Sequence, residues 1–253
     1  MQHVKEQNWF AVGLDVIVVI VGIFLGMQVQ QWYEQREENI RSKAVVARIV
    51  DDLELDSRLL QHRKSFWSDV LNYSLEAEQW FLDSSENKPY TWSELLVLLH
   101  ATQAAQLYRT ELTFDELKSS GELHLIRDSV LRDDLARYYS FFERTNRETT
   151  AYLYLPEYRE KLRSYTPGDV LTYYWNNCYQ YTEESDQSLA KCSKPENIRE
   201  INRVLKVIEA DPEILQQLRK WISVLKISTV VIETDDQITL DLIERAKATI
   251  SEN

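Results

Sequence analysis

The chain has 253 residues, with 41 acidic against 29 basic side chains and a net charge of −12. That balance excludes a duplex-binding surface, which needs basic groups to displace counterions, so no nucleic acid is expected as a partner. It also excludes electrostatic attraction of a soluble domain to anionic lipid heads. The hydrophobic fraction of 44% is ordinary, and only five glycines and five prolines occur, three of the glycines before residue 27. So few breakers exclude turn-rich β architectures and predict an all-α fold.

From Trp9 to Val29 the chain reads WFAVGLDVIVVIVGIFLGMQV, 21 residues in which only Asp15 and Gln28 are strongly polar. About 20 apolar residues rising 1.5 Å each span a hydrocarbon core of roughly 30 Å. Trp9 at one end and Trp32 and Tyr33 at the other are spaced like aromatic belts. The predicted division is a short tail (1–8), a transmembrane helix (9–31) and an all-helical soluble domain (32–253), with the lipid bilayer as the first partner. A cleaved signal peptide is the alternative, but the run is long, contains an acid and lacks a small-x-small exit. A buried core helix is the other.

Gly22 and Gly26 form a GxxxG pair, which lets two helix backbones approach closely in lipid. Asp15, Val19, Gly22 and Gly26 share one helical face. A carboxylate in hydrocarbon needs a partner helix, a protonated neighbour or water, so this face predicts self-association or pairing with another membrane protein. The alternatives are that Asp15 lies shallow and reaches the interface, or that it serves a proton path. Arg36, Arg41, Lys43 and Arg48 favour a cytoplasmic C-terminal side. The two cysteines, Cys178 and Cys192, bracket a polar stretch able to close as a disulfide, which favours an oxidising compartment. The reading adopted is a bacterial inner-membrane protein with a periplasmic domain, free thiols being the alternative.

Residues 34–82 contain neither Gly nor Pro. Apolar residues recur there at Val46, Ile49, Val50, Leu53, Leu60, Trp67, Val70 and Leu71, so the membrane helix continues outward, with a bend expected near Ser57 or Ser65. Its acids Asp51, Asp52, Glu54 and Asp56 are read as a solvated face, not as metal ligands. SSENKPYT is a turn. Thr91 with Glu94 forms a capping box opening a helix over 92–108, in which His100 is a packed or exposed histidine and not a ligand. Thr113 with Glu116 predicts another capped helix, ending at Gly121. Ser119, Ser120, Glu122 and His124 around that glycine are read as an inter-helix turn, not a nucleophilic site.

Asp128 opens the next helix, with an apolar stripe of Val130, Leu131, Leu135, Tyr138, Tyr139 and Phe142. Pro156 marks a kink or restart, and YTPGD (165–169) a turn. A helix over 196–209 carries Ile198, Ile201, Val204, Leu205 and Ile208. Asp211-Pro212-Glu213 starts a final helix with Leu215, Leu218, Ile222, Leu225, Ile232 and Leu242 inward; a strand over 227–232 is the minor alternative. Ten of the fourteen tyrosines lie between Tyr138 and Tyr181. The cluster Tyr173, Tyr174, Trp175 and Tyr179 is either a recognition surface or domain core.

The segments GLDVIVVIVGIFLGMQVQQWYEQREE and TFDELKSSGELHLIRDSVLRDDLARYY resemble a family of uncharacterised bacterial single-span membrane proteins. That family carries an acid early in an Ile/Val-rich span, a polar-aromatic exit and a helix–Gly–helix signature. The chain differs in having Asp15 where Glu is usual and Gln30-Gln31 where Asn is usual. The resemblance implies an anchored helical architecture and no particular reaction. No H-E-x-x-H, C-x-x-C, phosphate-cradling glycine loop or G-x-S-x-G occurs, and His3, His62, His100 and His124 are scattered. The expectation is a non-enzymatic interaction, sensing or scaffold module needing no cofactor or metal. An accessory subunit of a proton-coupled membrane machine using Asp15, or an unrecognised hydrolase, are the alternatives.

Overall fold

A computed structural model of the chain describes residues 9–105, 109–140, 156–181, 187–196 and 200–252. Helix α1 (Trp9–Leu82) is a single helix of 74 residues, about 110 Å long at 1.5 Å per residue. It runs through Ser57 and Ser65 as continuous helix. Ser57 Oγ donates across to Asp236 Oδ1 at 2.7 Å, so this hydroxyl serves the neighbouring helix. Among the described residues α1 is the one helix long and apolar enough to cross a membrane. Residues 13–38 of it are exposed along their whole length.

The other long helix, α8 (Pro212–Glu252, 41 residues), lies antiparallel to the outer part of α1. Their flanks are tied by Lys247–Glu54 and Lys64–Glu233, each 2.6 Å, and Arg219–Glu78 at 2.7 Å. Such exposed pairs set register more than they stabilise. The remaining elements pack on this two-helix spine in two groups. Nearer the apolar end, Val45, Val46, Ile49, Val50 and Leu53 of α1 meet α3 (Leu112–Ser120), a 3-10 turn (Leu123–Leu125), α4 (129–140) and the end of α8. Farther out, Leu60, Phe66, Trp67 and Val70 meet α2 (Trp92–Ala101), α5 (Glu157–Tyr165), α6 (Gly168–Asn177), α7 (Ile201–Ala210) and the first half of α8. The architecture is all-α, with one addition. Strands β1 (Tyr179–Tyr181) and β2 (Gln187–Leu189) pair antiparallel, Gln180 opposite Ser188.

Helix boundaries follow local chemistry, with three departures from expectation. Thr91 and Glu94 form the reciprocal capping box of α2. The helix stops at Ala101, however, because Thr102 Oγ1 folds back onto Leu99 O at 2.7 Å and Gln103 turns inward. Thr113 does not cap α3. Glu111 takes that position without a side-chain bond, and the acceptors come from α1: Asp52 Oδ2 accepts from Thr113 N at 3.0 Å and Asp56 Oδ1 from Thr110 N at 2.5 Å. Acids at a helix start are favourable wherever in the chain they originate. The acidic run of α1 is therefore not a solvated face throughout, and Asp56 is fully buried.

Gly121, at φ 75°, ends α3 in the left-handed conformation that a side chain resists. Asp128 caps α4 through Val130 N and Leu131 N, and Asp211 caps α8 through Glu213 N at 2.9 Å. Leu131, Leu135, Tyr138 and Tyr139 point inward as expected, Val130 points out, and Phe142 lies outside the described residues. Helix α7 starts at Ile201, and Ile198 also lies outside them. In α8, Ile214 takes the core position and Leu215 is only half-buried, while 227–232 is helix.

Candidate functional site

A groove of about 560 Å³ opens between α4, α8 and the segment leading into α3, within the volume range of small-molecule sites. Helix periodicity builds it. Tyr138 is one turn beyond Leu135 on the inner stripe of α4, and Asp235 and Thr239 follow Ile232 on that of α8. Asp235 and Arg109 meet at its floor, Nη2 to Oδ2 2.8 Å, with the Arg109 side chain 2% exposed. The guanidinium lies 4.0 Å from the centroid of the Tyr138 ring, a cation–π contact strengthened by burial. Ile238 and Leu242 supply apolar wall, and Asp134, Arg137, Asp241 and Arg245 the rim.

Under that floor lies Asp56 of α1. Tyr138 Oη lies 3.2 Å from Asp56 Oδ2 and 2.9 Å from Thr239 Oγ1, which is 2.8 Å from Asp235 O, so two hydroxyl protons are shared among three contacts. Burial pushes the Asp56 carboxyl up to about 6, against the opposing pull of Thr110 N–H, the Arg109 charge and the Tyr138 hydroxyl. Burial likewise raises Asp235, offset by Arg109, and drives Tyr138 far above its ordinary range. The network therefore links a solvent-facing groove to the long helix through side chains that an apolar core would have replaced at lower cost. Among the described residues no three His, Cys, Asp or Glu side chains group as a metal site.

The aromatic cluster is not one surface. Val170, Tyr174 and Cys178, four residues apart, form the inward face of α6 and are fully buried. Tyr174 belongs to the core: its Oη accepts from Gln103 Nε2 at 2.8 Å and bonds His100 Nδ1 at 2.9 Å. With Tyr174 donating, His100 carries its proton on Nε2, towards the Ala190 backbone. Burial lowers His100 to about 4, so it is neutral. Tyr173 and Tyr179 fall on the flanks, half-buried; Tyr173 Oη donates to Ser193 O at 2.9 Å. Trp175 alone presents a ring, 37% exposed, with Arg163 at 4.9 Å over its face. Cys178 and Cys192 are joined as a disulfide, Cα–Cα 5.1 Å, closing the base of the hairpin.

Asp15, Gly22 and Gly26 lie on the exposed part of α1. A Cβ built at Gly22 or Gly26 meets nothing within 4 Å. Among the described residues no contact accounts for glycine at these two positions, where it costs a helix about 1 kcal/mol each.

No protein-family model matches the chain, and neither a curated protein nor a solved structure matches it.

Proposed function

We propose that this chain is a membrane-tethered, non-enzymatic sensing and interaction module that self-associates through its first helix. It stands in a bacterial inner membrane with its helical domain on the periplasmic side. The observation that carries this reading is the continuity of α1. One helix passes without interruption from an apolar stretch that none of the described residues covers into both hydrophobic cores. A soluble core helix would bury those side chains, because about 25 cal/mol per Å² of apolar surface is at stake; lipid is the solvent that suits them. The Cys178–Cys192 disulfide supports an oxidising compartment, and the glycines support helix pairing. The polar groove, wired to α1 through Tyr138 and Asp56, gives the domain a place to receive a ligand. The anchor and the helix–Gly–helix segment also support kinship with the uncharacterised single-span family.

Fractionation of cells producing the full chain tests this. The intact chain is expected in carbonate-washed membranes, its domain digested by protease added from the periplasmic side. A variant lacking residues 9–31 is expected in the soluble fraction. Full-length protein released by carbonate, or a native product beginning beyond Met27, overturns the proposal.

A further inference from the structure

Helix α1 has two faces that lie back to back. At about 100° per residue, Gly22, Val29, Tyr33, Ile40 and Ala47 fall within about 20° of one line along the helix, with Gly26 and Ala44 about 40° to one side. All of these are exposed, Val29 66%, Tyr33 63% and Ile40 63%. The residues that carry the domain, Ser42, Val45, Val46, Ile49, Val50 and Leu53, centre on the opposite side. The line of the glycines thus continues past the apolar stretch for about four turns without meeting the described part of the domain.

We infer that this line is a parallel, two-fold homodimer interface running from Gly22 to Ala47, well beyond the membrane, with the two domains facing outward. The inference rests on the proposal that residues 9–31 cross the bilayer, and it names the partner as a second copy. Two copies inserted in the same direction place identical residues at identical heights, so a self-complementary pattern is required. The pattern is present. Arg36 and Glu37 flank the line on opposite sides, so each Arg36 meets Glu37 of the other copy across the two-fold axis. Among the described residues neither takes part in an intrachain ion pair, whereas Glu38 and Arg41, turned towards the domain, pair with Arg127 and Glu122. Tyr33 and Ile40 supply apolar contact between the charges, and Ala44 and Ala47 let the backbones stay close. Asp51 is next on the line, where two carboxylates would face each other, and the contact ends there.

Oxidative cross-linking of single cysteines in the full chain, in native membranes, tests the interface. The two natural cysteines are bonded to each other and give no background. Val29→Cys, Tyr33→Cys, Ile40→Cys and Ala47→Cys are expected to give disulfide-linked dimer as the main product. Gln35→Cys and Glu38→Cys, exposed on the other side, are expected to stay at background. Arg36→Glu should abolish cross-linking at Ile40→Cys, and adding Glu37→Arg should restore it. Dimer at Val29→Cys without dimer at Ile40→Cys or Ala47→Cys overturns the extended interface while leaving pairing within the membrane intact. Absence of dimer at every position overturns both.

Discussion

Asp56→Asn separates the buried carboxyl from every other acid in the chain. In the unfolded protein this group titrates near 3.8, and in the folded one burial raises it to about 6. Between those values the folded chain holds a proton that the unfolded chain has released, so stability falls as pH rises through that window and is level above it. From pH 5 to pH 8 the loss due to Asp56 comes to about 1 to 2 kcal/mol. Asparagine keeps the shape and one acceptor but cannot ionise. The wild type should therefore exceed Asp56→Asn by about 1 to 2 kcal/mol more at pH 5 than at pH 8. Urea unfolding of both proteins in neutral detergent, followed by tryptophan fluorescence at the two pH values, measures this. Groups titrating outside the network that joins Asp56 to Asp235 cancel in the double difference. A difference that does not change with pH, or one that grows towards pH 8, refutes the buried-carboxyl account.

Three further outcomes follow from the same geometry. Tyr174→Phe strands Gln103 and His100 in the core and should cost about 1 to 3 kcal/mol in urea unfolding; Trp175→Ala, at a ring 37% exposed, should cost less. Reduction of the disulfide, whose cysteines are 14 residues apart, should lower stability by about 3 kcal/mol, read as a drop in the urea midpoint with dithiothreitol. Gly121→Ala forces a side chain into the left-handed region at φ 75° and should cost about 1 kcal/mol in the same assay.

The sequence made the spine legible because its signals are local. Asp128, Asp211-Pro212 and Thr91 with Glu94 mark helix starts by chemistry complete within four residues, and Gly121 marks an end in the same way. Thr113 with Glu116 shows the same pattern, yet tertiary contact with Asp52 and Asp56 takes over the capping. Asp56 itself carried a readable clue. It falls three residues after Leu53 and four before Leu60, on the buried stripe of α1, and Asp235 sits likewise between Ile232 and Thr239. Acids on an apolar stripe point to a buried network. Arg109 carried no such mark, since it lies in a connection between helices. Tyr174 was ambiguous because aromatics suit surface and core alike; the spacing Val170, Tyr174, Cys178 places it once α6 is known to pack by that face.

In the proposed arrangement one helix crosses the bilayer and continues, unbroken, into the domain. Nitroxide labels at Val18, Phe24, Glu38 and Arg58 of the full chain in lipid vesicles report on it through their accessibility to oxygen and to a water-soluble nickel chelate. Oxygen should dominate at Val18 and Phe24, and the chelate at Glu38 and Arg58, both exposed on α1. Chelate access at all four sites contradicts the claim.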